Sequence, residues 1–240
     1  MTDDADALVL YPLAVDDGYW RSVQFALEAG VEVVVIDVTP PREVFDQVGV
    51  KAPYYVAGDY SAGGQLLGNL LVEALLADPS AIAILTLGPD EFFAGSERSR
   101  QALGELASAG LLDRVKPIPI LDWGLGQAVV DSIVQLVVAH QGNVWIHPAH
   151  DGNVRLIRDS LTVAGCDQSK VFLVGYDGMR QQLGKIDVLD QGLAVATIDV
   201  DIEEQGREAG RILADVRRSG ERRSPIARLV KPSVARVIPS

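Results

Sequence analysis

Residues 31–37 read VEVVVID. Five of the seven are β-branched, and the apolar residues from Val33 to Ile36 run on without alternating with polar ones. A strand with one wet face would alternate, so this run predicts a strand buried on both faces, as in a parallel sheet. Ahead of it, residues 20–30 carry apolar side chains at helical spacing, and residues 7–11 (ALVLY) form another strand-like run. Beyond it, residues 54–57 predict a short strand. A helix follows in which Leu66, Leu67, Leu70, Leu71 and Leu75 share one face. The same alternation continues with strands over 81–87, 115–121, 144–147, 171–175 and 195–198. The helices between and after them cover 93–109, 127–140, 152–164 and 202–218. Pro117 and Pro119 restrict their strand to an edge or a strand end. Residues 226–237 are extended and interrupted by Pro232. Strands that alternate with helices predict an α/β fold with a parallel sheet and right-handed crossovers.

In such sheets ligands bind outside the carboxyl ends of the strands. Those ends carry Tyr11-Pro12, Asp37, Gly58-Asp59, Gly88-Pro89-Asp90, Asp122-Trp123, His150-Asp151 and Tyr176-Asp177, and Arg98 opens the helix after one of them. Carboxylates accept hydrogen bonds from hydroxyls, an arginine donates in a fork, and a flat ring packs on the C–H face of a sugar. The set therefore points to a small polyhydroxylated ligand. Each member also has a plainer reading. An aspartate after a strand caps the next helix, Trp123 fills a core, and Arg98 is a solvated helix residue.

Composition narrows the classes. The chain has 240 residues, 48% hydrophobic and 22% charged, which suffices for one large domain or two small lobes. One cysteine, Cys166, rules out an internal disulfide framework. The formal net charge of −12 opposes a nucleic-acid partner. The one basic cluster, Arg217, Arg218, Arg222 and Arg223, reads as a helix C-terminus with cations at the negative end of the dipole. No apolar run has the length of a membrane span. The opening MTDDADALVL is acidic where an export signal needs basic residues.

Other chemistries are weaker in the residues. Ser96 and Ser99 lie near Arg98 without a Gly-x-Ser-x-Gly elbow, so no enzyme is expected. His147, His150 and Asp151 lack the spacing and company of a metal site. GLGQAV at 124–129 lacks the third glycine of a dinucleotide loop, so no cofactor is expected.

The stretches DALVLYPL, VEVVVIDV, VAGDYSAGGQLLGNLLVEALL, AGSERSRQAL, VWIHPAHDGNVRLIRDSL, VFLVGYDGM and LAVATIDVDIEEQGREAGRILADVRRSGE follow one another in order. Together the chain resembles the ribose-type periplasmic sugar-binding proteins, which share their fold with the ligand-sensing part of LacI-type repressors. The resemblance implies two lobes of parallel sheet flanked by helices, joined by a hinge that the chain crosses three times. The first lobe would take residues 1–57 and 200–229, and the second 58–199 and 230–240. It further implies a substrate-binding component of an ABC-type sugar transporter, in the periplasm, that closes on a sugar or polyol and docks to a permease. The alternative is the sensing domain of a LacI-type regulator, a sugar chemoreceptor or a receptor kinase.

By the same resemblance Asp37 and Asp177 accept sugar hydroxyls, Arg98 grips the sugar from the second lobe, and Trp123 stacks on it. His150, with Asp151 beside it, falls where the family often has asparagine, and Tyr11 replaces another asparagine. Val38 replaces a frequent arginine and Val200 a polar residue, so the identity of the sugar stays open. The family opens with two strand–helix units ahead of the strand that begins here at Ala7, so the first lobe is expected to be incomplete. The 7–11 strand would then present an apolar edge that invites self-association.

Overall fold

The run that opens the sequence argument forms a strand over Glu32–Ile36, with its last four residues buried. The computed structural model describes residues 5–11, 17–37, 42–47, 49, 51–88, 93–121, 124–181, 184–219 and 227–236. Among them the strands are β1 (Ala7–Leu10), β2 (Glu32–Ile36), β3 (Tyr54–Gly58), β4 (Ile82–Leu87), β5 (Val115–Pro119), β6 (Val144–His147), β7 (Val171–Asp177), β8 (Ala196–Asp199), β9 (Ala227–Val230) and β10 (Ser233–Arg236). The helices are α1 (Asp17–Glu28), α2 (Arg42–Asp46), α3 (Tyr60–Ala77), α4 (Phe93–Ser108), α5 (Gln127–Ala139), α6 (Asp151–Val163), α7 (Asp187–Asp190) and α8 (Ile202–Ser219). None of them is long and apolar enough to cross a membrane.

The chain divides into two compact units. One takes Met1–Asp59 and Asp201–Val230, the other Tyr60–Val200 and Lys231–Ser240. The first holds a four-stranded sheet in the order β1-β2-β3-β9, parallel throughout. One face is covered through Trp20, Val23 and Leu27 of α1, which pack with Val33, Val35 and Phe45. The other is covered by Ala209 and Ile212 of α8 against Val34, Ile36, Tyr54 and Val56. Cover on both faces is why β2 reads as an unbroken apolar run. β1 stands at one end of the order. Its Leu8 and Leu10 pack toward α1, while Val9 on the opposite face is 47% exposed.

The second unit holds six strands in the order β10-β8-β7-β6-β4-β5. β5 lies at the end, where the missing N–H groups of Pro117 and Pro119 leave one ladder intact and break no second one. α5 and α6 cover one face of this sheet and α3 and α4 the other. Leu67, Leu70, Leu71 and Leu75 of α3 are buried, each stabilising the fold by roughly 1.5–3 kcal/mol. α3 and α4 approach through glycines. A Cβ on Gly64 would meet the backbone of Arg98, and one on Gly68 would lie 2.9 Å from the Ala102 carbonyl.

Several boundaries differ from the sequence reading. α1 starts at Asp17, three residues before the apolar periodicity, and β7 runs two residues further, to Asp177. The short helices α2 and α7 carry too few turns to show a period. The sheet of the second unit is not wholly parallel, because β10 pairs antiparallel with β8. The extended tail is two strands that serve different units, divided at Lys231 and Pro232.

Candidate functional site

Each unit presents its own set of polar groups at the carboxyl ends of its parallel strands. In the first unit Tyr11 follows β1 and Asp37 follows β2. The Tyr11 hydroxyl donates to Asp37 Oδ2 at 3.3 Å, and the Tyr11 side chain is half exposed. Asp37 has φ +74, a left-handed conformation uncommon outside glycine, and its N–H donates to the Val56 carbonyl at 2.8 Å. That bond continues the ladder to β3 while the backbone turns away.

In the second unit Arg98 is 3% exposed, so it is not a solvated helix residue. Its guanidinium lies 4.4 Å from the centroid of the Tyr176 ring. Tyr176 lies on β7, and its hydroxyl needs Gly63 of α3 opposite, where a Cβ would collide with it. His147 ends β6 with its ring 6.2 Å from that of Tyr176, edge to face. Its Nδ1 is 2.9 Å from the Val174 carbonyl, which sets that nitrogen as the donor. Burial, with the Arg98 charge adding, pushes the imidazole down to about 3, so it is neutral at pH 7.

His150 caps α6, its Nδ1 accepting from the Gly152 N–H at 3.0 Å. Asp151 is also 3% exposed. Its Oδ2 accepts from the Met179 N–H at 2.9 Å and its Oδ1 from the Thr197 hydroxyl at 2.8 Å, and the Tyr176 N–H bonds to the same carboxyl group. Both oxygens of this carboxylate are thus bonded within the fold. Burial, with Asp199 nearby, pushes it up to about 6. Asp177 closes β7 with φ +101, followed by Gly178 at φ +63. Beyond the turn Arg180 forms an ion pair with the buried Asp199 at the end of β8.

The structure thus brings Tyr11 and Asp37 together in one unit and places Arg98, His150, Asp151 and Asp177 in the other. Trp123 lies outside the described residues, as do Asp90, Asp122 and Val38. Tyr176 stood only in the list of strand-end residues, and Thr197, Arg180 and Asp199 were not singled out for roles at the site. One signal for them was present, the glycines that bracket Tyr176-Asp177. A Cβ at Gly175 would collide with Asp151 Oδ1, and one at Gly178 would lie 2.5 Å from the Asp199 carboxyl.

Ser99 Oγ accepts from the Gly88 N–H at 3.0 Å, the Nδ1 atoms of His147 and His150 bond to the backbone, and both Asp151 oxygens accept hydrogen bonds. Among the described residues no cluster of three or more histidine, cysteine or acidic side chains is placed to hold a metal ion. Arg217 and Arg218 pair with Asp6 and Asp215, while Arg222 and Arg223 lie outside the described residues.

No family model matches this chain, and no curated protein matches it. Solved structures do. An ABC transporter periplasmic solute-binding protein from Actinobacillus succinogenes 130z with bound D-allose superimposes with TM-score 0.71 at 24% identity, over 95% of this chain and 77% of that one. The Caulobacter myo-inositol binding protein gives TM-score 0.68 at 18% identity, over 97% and 74%. A regulatory protein of the LacI family from Chloroflexus aggregans gives 0.64 at 16%, over 96% and 75%. These similar structures are of sugar-binding and regulatory proteins, and at such identities what they share with this chain is the fold.

Proposed function

We propose that this chain, which has the type I periplasmic binding protein fold, binds a small sugar or polyol without changing it, as the substrate-binding component of an ABC-type transporter. The observation that carries the reading is the position of Tyr11, Asp37, Arg98 and Asp177 at the carboxyl ends of parallel strands or on the helix that follows one. That is where open α/β sheets take their ligands. Asp37 and Asp177 supply acceptors for hydroxyl protons, and Arg98 supplies donors held by the face of Tyr176. Closure of the two units on the ligand is the proposed working motion, recognition of the closed form by a permease the proposed output, and the periplasm the proposed compartment. A second reading, the sensing domain of a regulator, is favoured by the LacI-family likeness. What the gene encodes ahead of Met1 separates the two.

The test is a titration of tryptophan fluorescence, with melting curves alongside, against D-allose, myo-inositol, D-fructose, L-arabinose and other pentoses and hexoses. Saturable quenching or enhancement with a matching rise in Tm is expected for at least one of them. Asp177→Ala should abolish the response and leave the fold intact, and Arg98→Ala should abolish it too. A folded chain that ignores the whole panel, or unchanged affinity in both variants, overturns the reading.

A further inference from the structure

The β6–β7 ladder runs only from Val144↔Val171 to Ile146↔Leu173, yet β7 continues to Asp177. Past the end of this ladder, side chains take over its place. His147 Nδ1 meets the Val174 carbonyl, and the Asp151 carboxyl meets the Tyr176 and Met179 N–H groups. The geometry points to Asp151 as a positioning residue: it never touches ligand, but it fixes the turn that presents Asp177. This deepens the sugar-binding reading and rests on it only for the ligand arm of the test.

Three features carry the inference. The first is enclosure, since Asp151 is buried and bonded to β7, to the turn at Met179, and to Thr197 of β8. The second is the backbone between those bonds. Asp177 and Gly178 are both at positive φ, a conformation that a non-glycine residue holds only when its surroundings impose it. The third is fit. Gly175 has no side chain where the carboxyl lies, so the strand is shaped around this group.

The charged and titratable groups around Asp151 are few. Asp199 faces it from β8 and is paired to Arg180 of the turn. Asp177 lies in the turn itself, His150 directly precedes Asp151 as the N-cap of α6, and His147, with Arg98 of α4 behind it, ends β6. Asp199 opposes a charge on Asp151, and burial opposes it more strongly. Thr197 can serve both protonation states, because its hydroxyl donates to a carboxylate and accepts from a carboxylic acid. The anchor therefore persists at either pH while the strength of its bonds changes.

The experiment compares the wild-type chain with Asp151→Asn and Asp151→Ala by 15N–1H spectra from pH 4.5 to 8, with amide exchange rates at residues 177–179. Tyr176 and Met179 amides should shift together with a midpoint near 6 in the wild type and stay still in both variants. In Asp151→Ala the amides of the turn should exchange at least tenfold faster. Asp151→Asn should restore most of that protection, since its amide oxygen accepts from Met179 and its NH2 donates to Thr197. Calorimetry with D-allose and myo-inositol at pH 7.5 should show at least tenfold weaker binding in Asp151→Ala, with Asp151→Asn close to the wild type. If Asp151→Ala does not fold, the loss of the pH-dependent shift in Asp151→Asn decides. Unchanged turn amides in Asp151→Ala, a surviving shift in Asp151→Asn, or full affinity despite a loosened turn would each overturn the role. If no sugar binds the wild type, the proposed function falls while the exchange data still decide the role of Asp151.

Discussion

The Arg98 guanidinium lies over the Tyr176 ring at 4.4 Å, with both side chains buried in the second unit. A buried cation needs compensation, and an aromatic face supplies part of it, about 2 kcal/mol when the pair is desolvated. Tyr176→Leu removes that face and much of the ring volume. It should lower unfolding stability by roughly 2–4 kcal/mol in urea titrations. Tyr176→Phe keeps the face and should lose far less. Equal losses in the two variants would mean that the hydroxyl, not the ring, holds the site.

Two buried groups pull stability in opposite directions with pH. The folded-state value of Asp151, about 6, lies above the ordinary 3.8, so folding favours its protonated form. Its contribution is fully present below about 4 and is lost as pH rises through about 6. His147 is pushed down to about 3 from 6.5, so its contribution is fully present above about 6.5 and is lost as pH falls toward about 3. Asp151→Asn removes the first effect alone. The Tm of this variant relative to wild type should therefore climb between pH 4.5 and 7.5. A constant difference across that range would contradict the assignment.

Glycine substitutions in two neighbouring helices should act with opposite signs. Gly104 on α4 has open space where a Cβ would stand, whereas at Gly64 on α3 a Cβ would strike the Arg98 backbone. Gly104→Ala should stabilise by about 0.4–1 kcal/mol through the unfolded chain. Gly64→Ala should destabilise by roughly 1–3 kcal/mol by forcing α3 from α4. Thermal melts of the two single variants check both signs.

β1 ends its sheet order with Val9 exposed. An apolar strand of this kind pairs readily with another chain. Sedimentation velocity should show association that grows with protein concentration, and Val9→Lys should suppress it without lowering unfolding stability by more than about 0.5 kcal/mol. A wild-type chain that stays monomeric at high concentration would count against the edge as a contact surface.

The architecture was legible because strands covered on both faces write themselves as unbroken apolar runs, as at β2 and β7. The antiparallel β10 was not, since Ser233–Arg236 carries no mark of direction and its partner β8 is settled by the path of the chain. For the proposed site, the placement of Asp37 and Asp177 at the carboxyl ends of strands was legible. The role of Asp151 was not, because it depends on the room left by Gly175 and on Thr197 of another strand. The pairing of Arg98 with Tyr176 was hidden for the same reason, as the two lie far apart in the chain and meet only when α4 packs on β7.

The first unit is built from two stretches of the chain that the whole of Tyr60–Val200 separates, and this sets a clock on its birth. β1, β2 and β3 leave the ribosome early, but β9, which completes their sheet, and α8, which covers Val34 and Val56, come after the whole of Tyr60–Val200. At ordinary synthesis rates the wait is on the order of ten seconds. Through that interval β1, β2 and β3 have neither β9 beside them nor α8 over Val34 and Val56, so a chaperone on the growing chain would meet this apolar face for longest.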